Sequence, residues 1–114
     1  MSPWMQNARQ TWTIARKYPR FPIDLLLVLR SSAKLYGRTR DVSEGGLGAT
    51  VPSDIRLGTV MELEFQFPNA GESICLDGKI VYRQGFQYGF LFVAPTQAQI
   101  EAIRKATRML PILR

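Results

Sequence analysis

Two short stretches of this chain hold residue types that could do chemistry. Arg16, Lys17 and Arg20 stand together, with Pro19 and Pro22 on either side of Arg20. Once Pro19 intervenes, the spacing of four between the arginines serves no helical purpose, because a residue before proline is pushed out of the α region. Arginine offers a planar fork that can bond guanine O6 and N7 bidentately, grip a phosphate or stack on a base, and Lys17 adds a point charge. A solvated basic segment would have the same composition. The second stretch is Asp41, Ser43, Gly45 and Gly46. On an extended strand Asp41 and Ser43 are two apart, so both side chains leave on one face. The two glycines are expected to turn the backbone with positive φ and bring it close to a ligand. A carboxylate can accept from guanine N1–H and N2–H2, while a hydroxyl and bare amides suit a phosphate. The same residues would also make an ordinary β-turn in which Asp41 and Ser43 satisfy local backbone groups.

The remaining candidates are weaker. There is no histidine and a single cysteine, Cys75, which excludes Ser–His–Asp and Cys–His catalysis, a His-ligated metal and an internal disulfide. Ser43 has neither a histidine nor an evident lysine to activate it, so no enzyme and no cofactor is expected. Arg38 and Arg40 share a strand face and read as a solvated extension of positive surface. Glu62 and Glu64 read as surface charge. Simple alternation puts Tyr82 with Ile74, Leu76 and Ile80 on a core face, and Cys75, without a base or a CxxC mate, reads as an inert buried thiol. Trp4 and Trp12 could dock on the folded domain, on a second copy or on a partner.

Elements must hold these residues in place. The 114 residues suit one domain, and 46% hydrophobic with 21% charged residues suits a globular one. The net charge is +6 and unevenly spread: eight of the basic residues fall at or before Arg40, against Asp24 alone. Such a local positive field points to an anionic partner. The longest apolar run, Leu25 to Leu29, is too short to cross a bilayer, and the first residues lack a basic then apolar leader, so a cytoplasmic protein is expected.

Residues 1–15 are expected to form a helix or tail, with Ser2 as N-cap, Pro3 at the first helical position, and Trp4, Met5, Ala8 and Trp12 on one side. The period then changes to two. Phe21, Ile23, Leu25, Leu27 and Leu29 alternate along one strand, and Leu35 to Ser43 form a second. Leu47 to Val51, Met61 to Phe67, Ile74 to Arg83 and Tyr88 to Val93 make six. After Pro95, Thr96 and Gln99 form a capping box before the apolar stripe Ile100, Ile103, Ala106 and Leu110, which Pro111 stops. Six short strands followed by one amphipathic helix define a mainly β fold, a small antiparallel barrel capped by that helix. The domain is expected over residues 16–110, with 111–114 as a tail.

Taken together, Arg16-x-x-x-Arg20 just before the first strand and Asp41-x-Ser43-x-x-Gly46 at the end of the second resemble the paired signature of the PilZ domain family, whose members are receptors for the bacterial second messenger cyclic di-GMP. Gly58-Thr59-Val60 and Tyr88-Gly89-Phe90-Leu91-Phe92 resemble further patterns of that family. The resemblance implies a single PilZ domain, a six-stranded barrel with its ligand site on the outer surface. It implies that Arg16 and Arg20 grip guanine edges and phosphates and stack on the bases, that Asp41 holds a guanine and Ser43 a phosphate, and that Gly46 gives backbone access. Lys17 stands where relatives often carry a second consecutive arginine. The function implied is a non-enzymatic receptor whose arginine loop changes conformation on binding and which signals to a protein partner. Two rivals remain: a basic barrel binding RNA or single-stranded DNA, and a PilZ-like module that acts through protein contacts alone.

Overall fold

Alternating apolar and polar residues send successive strand side chains to opposite faces, and here that alternation encloses a barrel. The structure is a computed structural model and describes residues 18–68, 71–108 and 110. Its strands are β1 (Phe21–Pro22), β2 (Leu26–Arg30), β3 (Lys34–Val42), β4 (Gly46–Thr50), β5 (Val60–Phe65), β6 (Ile74–Gln84) and β7 (Gln87–Val93), followed by helix α1 (Gln97–Thr107). All pairings are antiparallel. Neighbours run β2, β5, β6, β7, β4 and β3, and the β2–β3 ladder closes this ring of six. Leu27, Leu29, Leu63, Ile80, Tyr88 and Phe90 fill its interior.

The seventh strand comes from an interruption. The single strand expected from Phe21 to Leu29 breaks over Ile23 to Leu25, and β1 pairs separately with the end of β3. Thr39 bridges the break: the Leu25 amide donates to its Oγ1 at 2.9 Å, and that hydroxyl donates to the Ile23 carbonyl at 2.6 Å. Buried backbone groups that leave a ladder need such partners. The result sets Pro22 opposite Asp41 and brings Arg20 to the end of β3.

Two bulges also depart from simple alternation. Arg40 is the extra residue between the Thr39–Ala49 and Asp41–Gly48 pairs of β3 and β4. Val81 is the extra residue between the Ile80–Phe90 and Tyr82–Gly89 pairs of β6 and β7. Beyond an inserted residue the in–out pattern shifts by one. Val81 is therefore buried, and Tyr82, expected in the core, is half-buried with its hydroxyl donating to Gln84 Oε1 at 2.6 Å. Cys75 is also corrected. It is exposed, facing away from the buried Ile74 and Leu76 on either side.

The capping box forms as the sequence implies. Gln99 N donates to Thr96 Oγ1 at 3.1 Å, and Thr96 N donates to Gln99 Oε1 at 2.9 Å. Ile103 is fully buried, and Ala106 and Leu110 pack against the core. The helix ends at Thr107, before Pro111, with the Thr107 hydroxyl donating to the Ile103 carbonyl at 2.8 Å. The N-terminal helix with Trp4 and Trp12, the residues Arg16 and Lys17, and the tail 111–114 lie outside the described residues.

Candidate functional site

The site assembles at the end of β3. Asp41 is the best buried carboxylate among the described residues, only 4% exposed. Arg20 meets it with two hydrogen bonds, Nη2 to Oδ2 at 2.6 Å and Nε to Oδ1 at 3.3 Å. A buried carboxylate demands such compensation, and a bidentate guanidinium supplies it with fixed geometry. Arg20 is itself partly exposed, at 22% of its side chain, so the ion pair opens onto solvent on one side.

Next along the chain, Ser43 closes the β3–β4 turn. Its Oγ accepts from the amides of Gly45 and Gly46, each at 3.1 Å, and donates to the Gly46 carbonyl at 3.2 Å. The Ser43 amide donates to that same carbonyl at 2.8 Å. In this state the hydroxyl and the two amides satisfy one another, as the β-turn reading expected.

The glycines work differently from the expectation of positive φ. Among the described residues the positive-φ glycines are Gly58, Gly71 and Gly85, so Gly45 and Gly46 keep ordinary backbone angles. Gly46 is needed for close strand approach instead: a Cβ there would lie 2.1 Å from the Phe90 carbonyl oxygen. Gly48, which stands outside both motifs, matters more for the site. A Cβ on it would meet Arg40 Nη2 at 3.0 Å and the Asp41 carboxylate oxygens at 3.3 and 3.4 Å. Gly48 in turn pairs with Gly89, and Gly89 with Tyr82. Asp41, Gly48, Gly89 and Tyr82 thus form one row across four strands, with bare backbone at its centre.

Of the residues singled out from sequence, Arg20, Asp41, Ser43, Gly45 and Gly46 come together at the same end of the barrel wall. Arg38 lies apart and pairs with Asp24 Oδ1 at 2.8 Å, a contact that raises its already high pKa through the hydrogen bond. The turn is also tied to the helix. Arg104 Nη2 donates to Glu44 Oε1 at 2.9 Å, and this bond, with the Glu101 carboxylate, raises the arginine's pKa further. Among the described residues no cluster of three His, Cys, Asp or Glu side chains could hold a metal ion. None of the described helices is long and apolar enough to cross a membrane.

A six-stranded barrel with a helix over one end and an Asp-x-Ser turn beside a leading arginine belongs to a recognisable class. The family model for the PilZ domain matches residues 15–108, and the chain belongs to the PilZ domain family. No curated protein matches it in sequence. Among solved structures it resembles the PilZ domain with c-di-GMP of YcgR from Escherichia coli, with a TM-score of 0.71 and 16% identity over 83% of this chain and 90% of that one. It also resembles the PilZ domain of CeSA from a cellulose-synthesizing bacterium, with a TM-score of 0.63 and 19% identity over 79% of this chain and 96% of that one. The Bacillus subtilis inhibitor of motility MotI/DgrA aligns with a TM-score of 0.69 and 12% identity, covering 82% of this chain and 50% of its own. At these identities the likeness is one of fold.

Proposed function

We propose that this chain is a non-enzymatic receptor for cyclic di-GMP, which binds on the outer barrel wall at Asp41 and the β3–β4 turn. The observation that carries the reading is the bidentate Arg20–Asp41 pair on a nearly buried carboxylate. Membership of the PilZ family and the likeness to a YcgR domain with c-di-GMP support it.

In this reading Asp41 accepts from a guanine N1–H and N2–H2, and Arg20 remains beside it to bond the base or a phosphate. Ser43 and the amides of Gly45 and Gly46, which now hold one another, turn toward a phosphate oxygen. Arg16 and Lys17, outside the described residues, complete the cationic side. The Arg16–Arg20 loop repels itself when empty, and two ligand phosphates neutralise it and fold it onto the barrel. Ordering each residue costs about 1 kcal/mol, so the charge-assisted contacts must exceed several kcal/mol. The rearranged leader then presents a new surface to a protein partner in the cytoplasm.

A thermal-shift titration tests the reading. Cyclic di-GMP at about 100 times its dissociation constant should stabilise the fold by about 2.7 kcal/mol. GTP should give much less. An unmoved melting temperature at millimolar cyclic di-GMP overturns the proposal and leaves a module acting through protein contacts. Binding of an oligonucleotide with a steep salt dependence, near −0.7 in log–log slope per phosphate on a single strand, would favour the nucleic-acid rival instead.

A further inference from the structure

We infer that Arg40 is a specificity-determining residue of the same site, donating to the O6 atom of a guanine whose N1–H and N2–H2 are held by Asp41. The inference rests on the cyclic di-GMP reading and extends it to a residue outside the two family motifs.

Strict alternation would send Arg40 and Asp41 to opposite faces of β3. The bulge overrides it, because Arg40 has no partner of its own on β4 while Asp41 pairs with Gly48. A bulge re-aims side chains, and here two consecutive ones converge on the outer wall. Arg40 Nη2 and both Asp41 carboxylate oxygens lie 3.0 to 3.4 Å from the single point that a Gly48 Cβ would occupy. Arg40 is steadied from the far side, where Nη1 donates to Gln87 Oε1 at 3.2 Å. Arg40 is exposed, so a ligand can reach its guanidinium.

The arrangement matches one purine edge. Guanine presents an acceptor and two donors in order, O6, N1–H and N2–H2, while adenine presents a donor and an acceptor, N6–H2 and N1. A carboxylate flanked by a guanidinium offers the complement of the first: acceptors for N1–H and N2–H2, and a donor for O6. Against adenine the same pair sets donor against donor and acceptor against lone pair. Arg20 secures the carboxylate from the β1 side, and each carboxylate oxygen retains lone pairs for the base.

The test is calorimetry on the full chain and on Arg40→Met, titrated with cyclic di-GMP and with its 6-thioguanine analogue, in which a weakly accepting sulfur replaces O6. Arg40→Met should weaken cyclic di-GMP binding by about tenfold to a hundredfold, as for loss of one good base contact. The 6-thio analogue should lose under about threefold in the same variant, because its contact is already weak. Gln87→Ala, which releases Arg40 without removing it, should show a smaller loss in the same direction. Equal losses for both ligands would make Arg40 a mere source of charge and overturn the inference, as would unchanged affinity in Arg40→Met. If the unmodified chain binds neither ligand, the receptor reading itself fails, a result distinct from either of those.

Discussion

Two walls of this barrel carry arginine–carboxylate contacts, and they are built on opposite principles. On β2 and β5, Arg30 reaches Glu64 at 2.6 Å and Glu62 at 3.4 Å from strands in unbroken register. Glu62 and Arg30 stand largely in water, at 49% and 37%, and Glu64 is half-buried at 28%. The Arg30 hydrogen bond holds the Glu64 carboxyl below the usual carboxylate range, and the guanidinium is raised in return. On β3 and β4 the Asp41 side chain is only 6% exposed, the strand is bulged, and bare glycine backbone lies beside it. The first wall is a solvated network of the sort worth little to stability, and it serves solubility. The second holds a carboxylate out of water yet leaves it reachable along one side, a costly arrangement that a ligand's paired donors can use.

That contrast is open to experiment. The largest effect should come from Arg20→Ala, which removes one partner of a desolvated charged pair. Cyclic di-GMP binding should weaken by about 2–5 kcal/mol, whereas Arg30→Ala should leave it within about threefold. Similar losses in the two variants, read by calorimetry, would erase the distinction between the walls. A Gly46→Ala variant comes next. Its new methyl would meet the Phe90 carbonyl oxygen at 2.1 Å, so β4 and β7 must separate. The expected cost is about 1–3 kcal/mol of stability, seen in denaturant melts, and an unchanged midpoint would contradict the packing role assigned to that glycine.

Smaller again is the pH response of the solvated wall. Because Glu64 titrates below its ordinary value when folded, its contribution is fully present above the unfolded carboxylate pKa of about 4.3 and disappears as pH falls through the folded value. Melting temperatures should therefore fall less steeply in Glu64→Gln than in the parent on going from about pH 6 to about pH 3. Parallel curves would show the Arg30 contact to be energetically silent. The smallest effect concerns Cys75. Desolvation, then the Glu64 and Glu62 carboxylates, push its thiol up, so alkylation at neutral pH should be slower than for a free thiol despite its exposure. Rapid modification would overturn that.

The elements of the barrel were readable from period and punctuation. Alternation located five of the six ring strands to within a residue or two and the end of the sixth, and Thr96 with Gln99 marked the helix start. The misreadings share a physical cause. An inserted residue shifts every side chain beyond it by one face, and nothing in the sequence around Arg40 or Val81 marks an insertion. This is why alternation alone puts Tyr82 in the core and Arg40 on the face opposite Asp41. The break before β2 was equally silent, since it depends on the Thr39 hydroxyl reaching two backbone groups across the sheet. Cys75 is different: alternation with Ile74 and Leu76 points it outward, against the general tendency of cysteine to bury. At the site, the clustering of Arg20, Asp41 and Ser43 was implied by the resemblance to the PilZ family. The role of Gly48 was not, because a missing side chain acquires meaning only from what would occupy its place.

The most direct test of the account is a calorimetric titration of the full chain with cyclic di-GMP, repeated on Asp41→Asn. The expected result is saturable binding to the parent chain and a loss of about 2–5 kcal/mol in the variant, since an amide can no longer accept both guanine donors or hold Arg20 as tightly. Equal affinity in the two proteins would place the ligand elsewhere on the barrel, and no binding to either would end the receptor proposal.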